Sequence, residues 1–176
     1  HCSFCYWSNH PLTLLDGRPL VELIARLKRR YAVKQFHLAE LDFFASKARV
    51  LAFADAWRAA LPGACWFTLA SPVDVMRFTD AELDRLAAGG CKKLELGSES
   101  GSAAVLRAIG KRHQPEDSFT LTEKLLARGI STMHNFIFGF VGETRDDRER
   151  SLDLIVRLHS LDPDRVFFTF RFFQPP

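Results

Sequence analysis

Strand-like and helix-like stretches alternate along this chain without a break, and that alternation limits the fold more than any other feature. Residues 17–33, "GRPLVELIARLKRRYAV", carry apolar residues at Leu20, Leu23, Ile24 and Leu27, a helical stripe. Residues 34–44, "KQFHLAELDFF", follow as a short strand, and 46–61 as a helix that Ser46 is placed to cap. The strand "ACWFTLAS" (64–71) runs into Ser-Pro, and Thr79 then opens a helix with Glu82 at capping-box spacing. A strand and turn over 91–102 lead to helical segments near 102–109 and 115–128. A strand over 130–140, a helix over 143–161 with an acidic first turn, and a last strand over 164–176 complete the series. Gly89-Gly90 and Gly129 end helices.

Strands alternating with helices of this length form a parallel sheet with helical crossovers. Such a sheet is either open and doubly wound or part of a barrel. A complete eightfold barrel takes about 250 residues, or about 31 per unit. The 176 residues here hold about five or six units. The expected fold is α/β, a partial (β/α)6 barrel of parallel strands. It has five complete strands and only a stub of the first, with residues 1–176 forming one core domain. No stretch approaches the roughly 18 apolar residues of a membrane span. The net charge of +3, from 24 basic and 21 acidic residues, is too balanced to indicate nucleic acid. Four cysteines without a regular framework suggest a reducing compartment, and the cytoplasm is the default location.

Two of those cysteines lie in the opening "HCSFCYWSN". Cys-x-x-Cys serves a redox dithiol, half a zinc site or part of an iron–sulfur cradle. A redox pair opens a helix, whose terminus lowers a thiol pKa. Here "YWSNHPL" follows Cys5, and the next helix begins only near Pro19. A structural zinc site needs four ligands, yet Cys65 and Cys91 are lone residues at the starts of strands. In a parallel sheet they lie at the opposite edge from the Cys2–Cys5 loop, and they read as inert core thiols. An iron–sulfur cluster with an open iron explains more. Two later stretches build a site at the carboxyl ends of the strands. In "LELGSESGS" (94–102) an apolar strand enters a glycine-bracketed turn, so Glu99 and Ser100 emerge at the carboxyl end, where barrel sites are built. In "NFIFGFVGET" (135–144), Gly139 and Gly142 permit a close backbone approach.

With these motifs the chain resembles the radical S-adenosylmethionine (SAM) superfamily, whose hallmark is Cys-x-x-x-Cys-x-aromatic-Cys after the first strand of a partial barrel. "CSFC" is similar to its second half, with Cys2 and Cys5 as [4Fe–4S] ligands and Phe4 as the aromatic. The resemblance implies a further cysteine three residues before His1. It also implies reductive cleavage of SAM to a 5′-deoxyadenosyl radical, an external electron donor of the flavodoxin or ferredoxin type, and a small-molecule or peptide substrate. "GSESGS" and "FGFVGET" look most like the cobalamin-dependent branch, many of whose members are methyltransferases, and in that branch an α/β domain precedes the core. Val141 stands where the branch usually has proline.

Residue by residue, the resemblance implies that Glu99, with Ser100, receives the SAM ribose and that Gly139 lies against the adenine. Glu40, in "LAE", keeps the carboxylate of the family's Gly-Gly-Glu but neither glycine, and Asp42 competes for its role. Ser71 and Asn135 are candidate polar cavity residues, each with an ordinary core or cap role as its alternative. Arg171 either faces a carboxylate or points outward between helices. Lys111 and Arg112 read as a solvated loop, with a reach to the SAM carboxylate as the alternative; Glu143 and Thr144 serve the start of the following helix. His10, His37, His113, His134 and His159 show no ligand spacing and read as structural or surface residues. An iron–sulfur electron carrier would need no polar shelf such as Glu99, and a zinc module would need two more ligands. Alanine at Cys2 or Cys5 of the intact protein is expected to abolish the bound iron measured after anaerobic reconstitution. Alanine at Cys65 or Cys91 is expected to leave iron content unchanged.

Overall fold

The computed structural model describes residues 16–40 and 42–174. Five parallel strands form one sheet: β1 (Gln35–Leu38), β2 (Cys65–Ala70), β3 (Cys91–Glu99), β4 (Ser131–Phe138) and β5 (Val166–Phe172). Their spatial order is their chain order. A doubly wound sheet reverses its order at a switch point; this one never does. Crossovers of one hand that always step to the next strand place every helix on the same face. The topology therefore decides for barrel-type winding.

The helices are α1 (Gly17–Tyr31), α2 (Lys47–Ala60), α3 (Pro72–Val75), α4 (Asp80–Ala88), α5 (Ala103–Ala108), α6 (Pro115–Leu126) and α7 (Arg145–Leu161). Burial alternates along the inner strands in agreement with one covered face. Trp66, Thr68 and Ala70 of β2, Leu94, Leu96 and Ser98 of β3, and Thr132, His134 and Phe136 of β4 are buried beneath the helices. The intervening residues, among them Phe67, Lys93, Glu95, Met133 and Asn135, face the other side and are only half-buried.

The densest packing is aromatic. Phe43, Phe53, Trp57 and Trp66 meet with ring centroids 5.1–6.4 Å apart, several edge-to-face. The indoles meet their polar obligation locally: Trp57 Nε1 donates to Ala64 O at 3.1 Å and Trp66 Nε1 to Gly89 O at 2.7 Å. Phe43 and Phe44 depart from the expected strand. The strand ends at Leu38, and the two phenylalanines lie in a 3₁₀ turn, Phe43–Ala45, that sinks both rings into this core. The α1 stripe is rotated from expectation as well: Val21 and Ile24 are buried, and Leu23 and Leu27 are exposed. A one-turn helix, α3, also follows Ser71-Pro72, where only a strand end was expected.

The caps read from the sequence are present. Ser46 accepts from Arg49 N, Thr79 and Glu82 form a reciprocal box, and so do Thr144 and Asp147. Ser102 caps α5 and also donates to Asp147 Oδ1 at 2.6 Å, tying the start of α5 to the start of α7. Cys91 is fully buried and burial pushes its thiol pKa up, so it stays protonated, as an inert core thiol should. Cys65 is half-buried rather than sealed in the core.

Beneath β3 and β4 lies a polar network that spacing did not reveal. Thr122 Oγ1 donates to Ser118 O at 2.7 Å, so its single hydrogen is spent and it accepts from His134 Nε2–H at 3.1 Å. His134 Nδ1 is then an acceptor and takes the Ser98 hydroxyl hydrogen at 2.8 Å, and Ser118 Oγ donates to Ser98 Oγ at 3.2 Å. The ring is neutral, and burial pushes its pKa down to about 3. An unfolded histidine binds a proton below about pH 6.5. The unfolded state therefore takes up the proton first, and stability contributed by this site falls as pH drops from about 6.5 toward 3. The ring resonances of His134 in the intact protein are expected to hold constant from about pH 7 to about pH 5. A titration near 6.5 would show the ring to be hydrated instead.

Candidate functional site

All strands point the same way, so their carboxyl ends share one edge of the sheet. Glu40 follows β1, Ser71 follows β2, Glu99 ends β3, Gly139 follows β4, and Arg171 lies near the end of β5. The backbone at Glu99 is unusual. Its φ is +60°, a left-handed value rare outside glycine. Ser100 N closes on Ser98 O at 2.7 Å, giving the strained three-residue turn whose central φ is positive. The β3–β4 register also slips between Leu96 and Glu99, so the strand bulges immediately before the turn.

The turn folds the Glu99 carboxylate back over Gly97. A Cβ at Gly97 would lie 2.8 Å from Glu99 Oε1 and 3.1 Å from Lys111 Nζ, so the missing side chain is the space these two groups occupy. Lys111 Nζ pairs with Glu99 Oε1 at 2.9 Å, with side chains 13% and 9% exposed. Lys111 is thus paired and largely buried rather than part of a solvated loop. Its N–H closes on Leu106 O behind α5, which turns the side chain back toward β3. A lone lysine after a helix carries no spacing signal that could have revealed this.

At the end of β1, Glu40 Oε2 accepts from Arg49 Nη2 at 2.7 Å. Its other oxygen, and Oδ1 of Asp42, are buried without a hydrogen-bond partner among the described residues. Burial raises the Asp42 pKa, with Asp74 adding repulsion, Arg77 opposing, and Glu40 and Lys111 contributing smaller effects. Two buried, unpartnered carboxylate oxygens are costly unless a donor meets them. They fit an ammonium or N–H group of a ligand.

The remaining candidates divide. The Ser100 hydroxyl is committed within the protein: it accepts from Ser102 N at 3.1 Å and lies 3.1 Å from Ser151 Oγ. Gly101 N donates to Ser151 Oγ at 2.8 Å, and a Cβ on Gly101 would sit 2.3 Å from Arg150 O. These contacts press the turn against α7. Ser71 is half-buried; its carbonyl, not its side chain, starts α3 by accepting from Asp74 N and Val75 N. Asn135 lies on the helix-free face and accepts from the Thr169 hydroxyl. Gly139 has φ +87° with open space over its Cα, and its N–H donates to Glu143 Oε2 at 2.5 Å. Glu143 therefore closes the Gly139 turn, while Thr144 caps α7. Arg171 is exposed and in register with Ile137, so it carries no buried-guanidinium penalty. Cys2, Phe4 and Cys5 lie outside the described residues. Among those described, no three His, Cys, Asp or Glu side chains converge as metal ligands, and no helix is long and apolar enough to cross a membrane.

A profile of the Radical SAM superfamily matches residues 1–155. An uncharacterized methyltransferase of Pyrococcus horikoshii is 25% identical over 96% of this chain and 36% of its own length. In fold, the chain is similar to the radical SAM methyltransferase TsrM of Kitasatospora setae, solved with tryptophan and a SAM analogue. The TM-score is 0.80 and the identity 22%, over 96% of this chain and 33% of that one. The cobalamin-dependent SAM radical enzyme OxsB, solved with aqua-cobalamin, aligns at TM-score 0.76 and 19% identity over 87% of this chain and 24% of its own. The five-stranded sheet thus matches partial (β/α) barrels, and the chain spans about a third or less of the length of these relatives.

Removing Lys111 takes the paired cation from the largely buried Glu99 carboxylate. Lys111→Met is expected to cost roughly 3 kcal/mol of stability, and Glu99→Gln in the same chain to recover part of it. Urea unfolding of the two variants measures both effects.

Proposed function

The chain belongs to the radical SAM superfamily, and from that membership we propose that it is the catalytic core of a cobalamin-dependent radical SAM methyltransferase. In this reading Cys2 and Cys5 ligate a [4Fe–4S] cluster, and SAM lies along the carboxyl edge of the sheet. The observation that carries it is the Glu99 carboxylate, held in a strained turn at the end of β3 over the space left by Gly97. When bound, the cluster, SAM and cobalamin supply one-electron chemistry and a methyl carrier, and the protein's contribution is position and exclusion of water.

Glu99 offers acceptor oxygens suited to the paired hydroxyls of a ribose, and a charged acceptor strengthens such bonds. The buried free oxygens of Glu40 and Asp42 suit the ammonium end of an amino acid. An ammonium there would also lower the raised Asp42 pKa, since it favours the charged carboxylate. Gly139 and Gly142, with positive φ and open space beside each, let an adenine approach the backbone closely. Half-buried Phe67, Leu69 and Met133 supply apolar surface on the helix-free face below the edge, beside Lys93, Glu95 and Asn135. Methyl transfer is supported by the names of the relatives, two of which are methyltransferases. Cobalamin is supported by the OxsB complex and by a TsrM structure with cobalamin and a [4Fe–4S] cluster bound. A small-molecule or peptide substrate and an external electron donor complete the reading.

Glu99→Gln in the cluster-loaded intact protein is expected to weaken SAM binding about ten- to a hundredfold, as loss of hydrogen bonds to a charged acceptor of about 1.5–3 kcal/mol requires. Equilibrium dialysis with SAM measures this, and unchanged affinity would remove Glu99 from the site. Cobalamin bound to the intact protein after expression with cobalamin supports methyl transfer; protein free of it would leave a radical SAM enzyme of another branch.

A further inference from the structure

We infer that His134 and Ser98, with His113, are positioning residues for Glu99: together they hold the strained turn that aims its carboxylate. The inference rests on the assignment of Glu99 to SAM. A non-glycine residue with φ near +60° relaxes unless its neighbours prevent it, at a cost of roughly 1–2 kcal/mol for the left-handed region. The sheet holds only its ends here: the β3–β4 ladder breaks off after Leu96 and resumes at the Glu99–Phe136 pair, and between those pairs it does not fix the chain. Side chains do.

On the near side of the turn, Ser98 is gripped twice. Its hydroxyl donates to His134 Nδ1 at 2.8 Å and accepts from Ser118 Oγ at 3.2 Å. Its carbonyl accepts from Ser100 N at 2.7 Å and from His113 Nε2 at 3.2 Å. On the far side, Ser151 of α7 holds Ser100 and Gly101. The Ser98 clamp is anchored on both sides of the interrupted ladder, because His134 belongs to β4 and its other nitrogen donates to Thr122 of α6. His134 is fully buried on the helix face, so it cannot touch a ligand on the opposite face. Its effect on the site passes through Ser98, one residue from Glu99.

The direction of each bond selects the test. Asn at position 134 can place its amide oxygen close to Nδ1 and still accept from Ser98; Leu cannot. In the intact, cluster-loaded protein, Ser98→Ala and His134→Leu are expected to weaken SAM binding about tenfold in equilibrium dialysis, and His134→Asn to stay within about twofold of the parent. Because the device acts only through the carboxylate, Ser98→Ala introduced into Glu99→Gln is expected to change affinity by less than about twofold. Iron content and thermal unfolding of each variant accompany the titration, so that a misfolded protein is not scored as a weak binder. Parent-like binding by Ser98→Ala beside weakened Glu99→Gln overturns the positioning role alone. So does an undiminished tenfold loss in the Glu99→Gln background, or Asn as poor as Leu at position 134. Parent-like binding by Glu99→Gln overturns the assignment of Glu99 and the positioning role with it.

Discussion

Each crossover in this chain advances the sheet by one strand in the same direction, and nearly everything else follows from that regularity. Helices joined by crossovers of one hand collect on one face, where they bury Trp66, Leu94, Leu96 and Phe136. The opposite face is left half-open, lined by Phe67, Lys93, Glu95, Met133 and Asn135. The carboxyl ends of all five strands are left on one edge. Glu40, Ser71, Glu99 and Gly139, far apart in the chain, become neighbours along that edge because the strands are parallel and sequential. A reversal of strand order would have left those ends on one edge but sent some helices to the opposite face and covered it.

Within that frame the site depends on a local departure from regular structure. At Glu99 the ladder bulges, the φ angle is positive, and the carboxylate turns back over Gly97. Such strain survives only where surrounding contacts over-determine the conformation. Here β4, α6 and α7 supply them through His134, Ser118 and Ser151. Each net hydrogen bond contributes about 1 kcal/mol, so a few together offset the strain of one left-handed residue. Gly101 belongs to the same arrangement: only a residue without a side chain lets the turn approach the backbone of α7.

Electrostatics divides the edge into two parts. Around β3, acid and base are matched, with Lys111 on Glu99. Around β1 they are not: Glu40 is half-satisfied by Arg49, and burial, with Asp74 beside it, raises the Asp42 pKa. A ligand that brings an ammonium to one part and hydroxyls to the other complements both. The two buried histidines stay apart from this balance. Burial lowers the pKa of each, and neither adds charge beside the carboxylates near neutral pH.

Elements, caps and fold class were legible in the sequence because each rests on local chemistry. Ser46, Thr79 and Glu82 cap helices through atoms three residues away, and an alternation of periods needs no distant partner to be seen. The motif around Glu99 was legible for the same reason, since glycine and a short polar run mark a turn wherever they occur. What the turn does was decided elsewhere. Lys111 paired with Glu99, Ser100 turned inward to Ser151, and Phe43 and Phe44 left the strand for the core, each because of a residue 12 or more positions away or a cavity no local pattern encodes. The α1 stripe shows the limit most plainly: periodicity identified the helix, but which side was buried depended on where α2 lay. The sequence alone determined most strands, helices and turns, since those are set by neighbours along the chain, but not the turn at Phe43–Ala45 or the one-turn helix α3. Only the tertiary structure decided which polar groups are paired, left without partners or strained, because burial and hydrogen bonding are properties of neighbours in space.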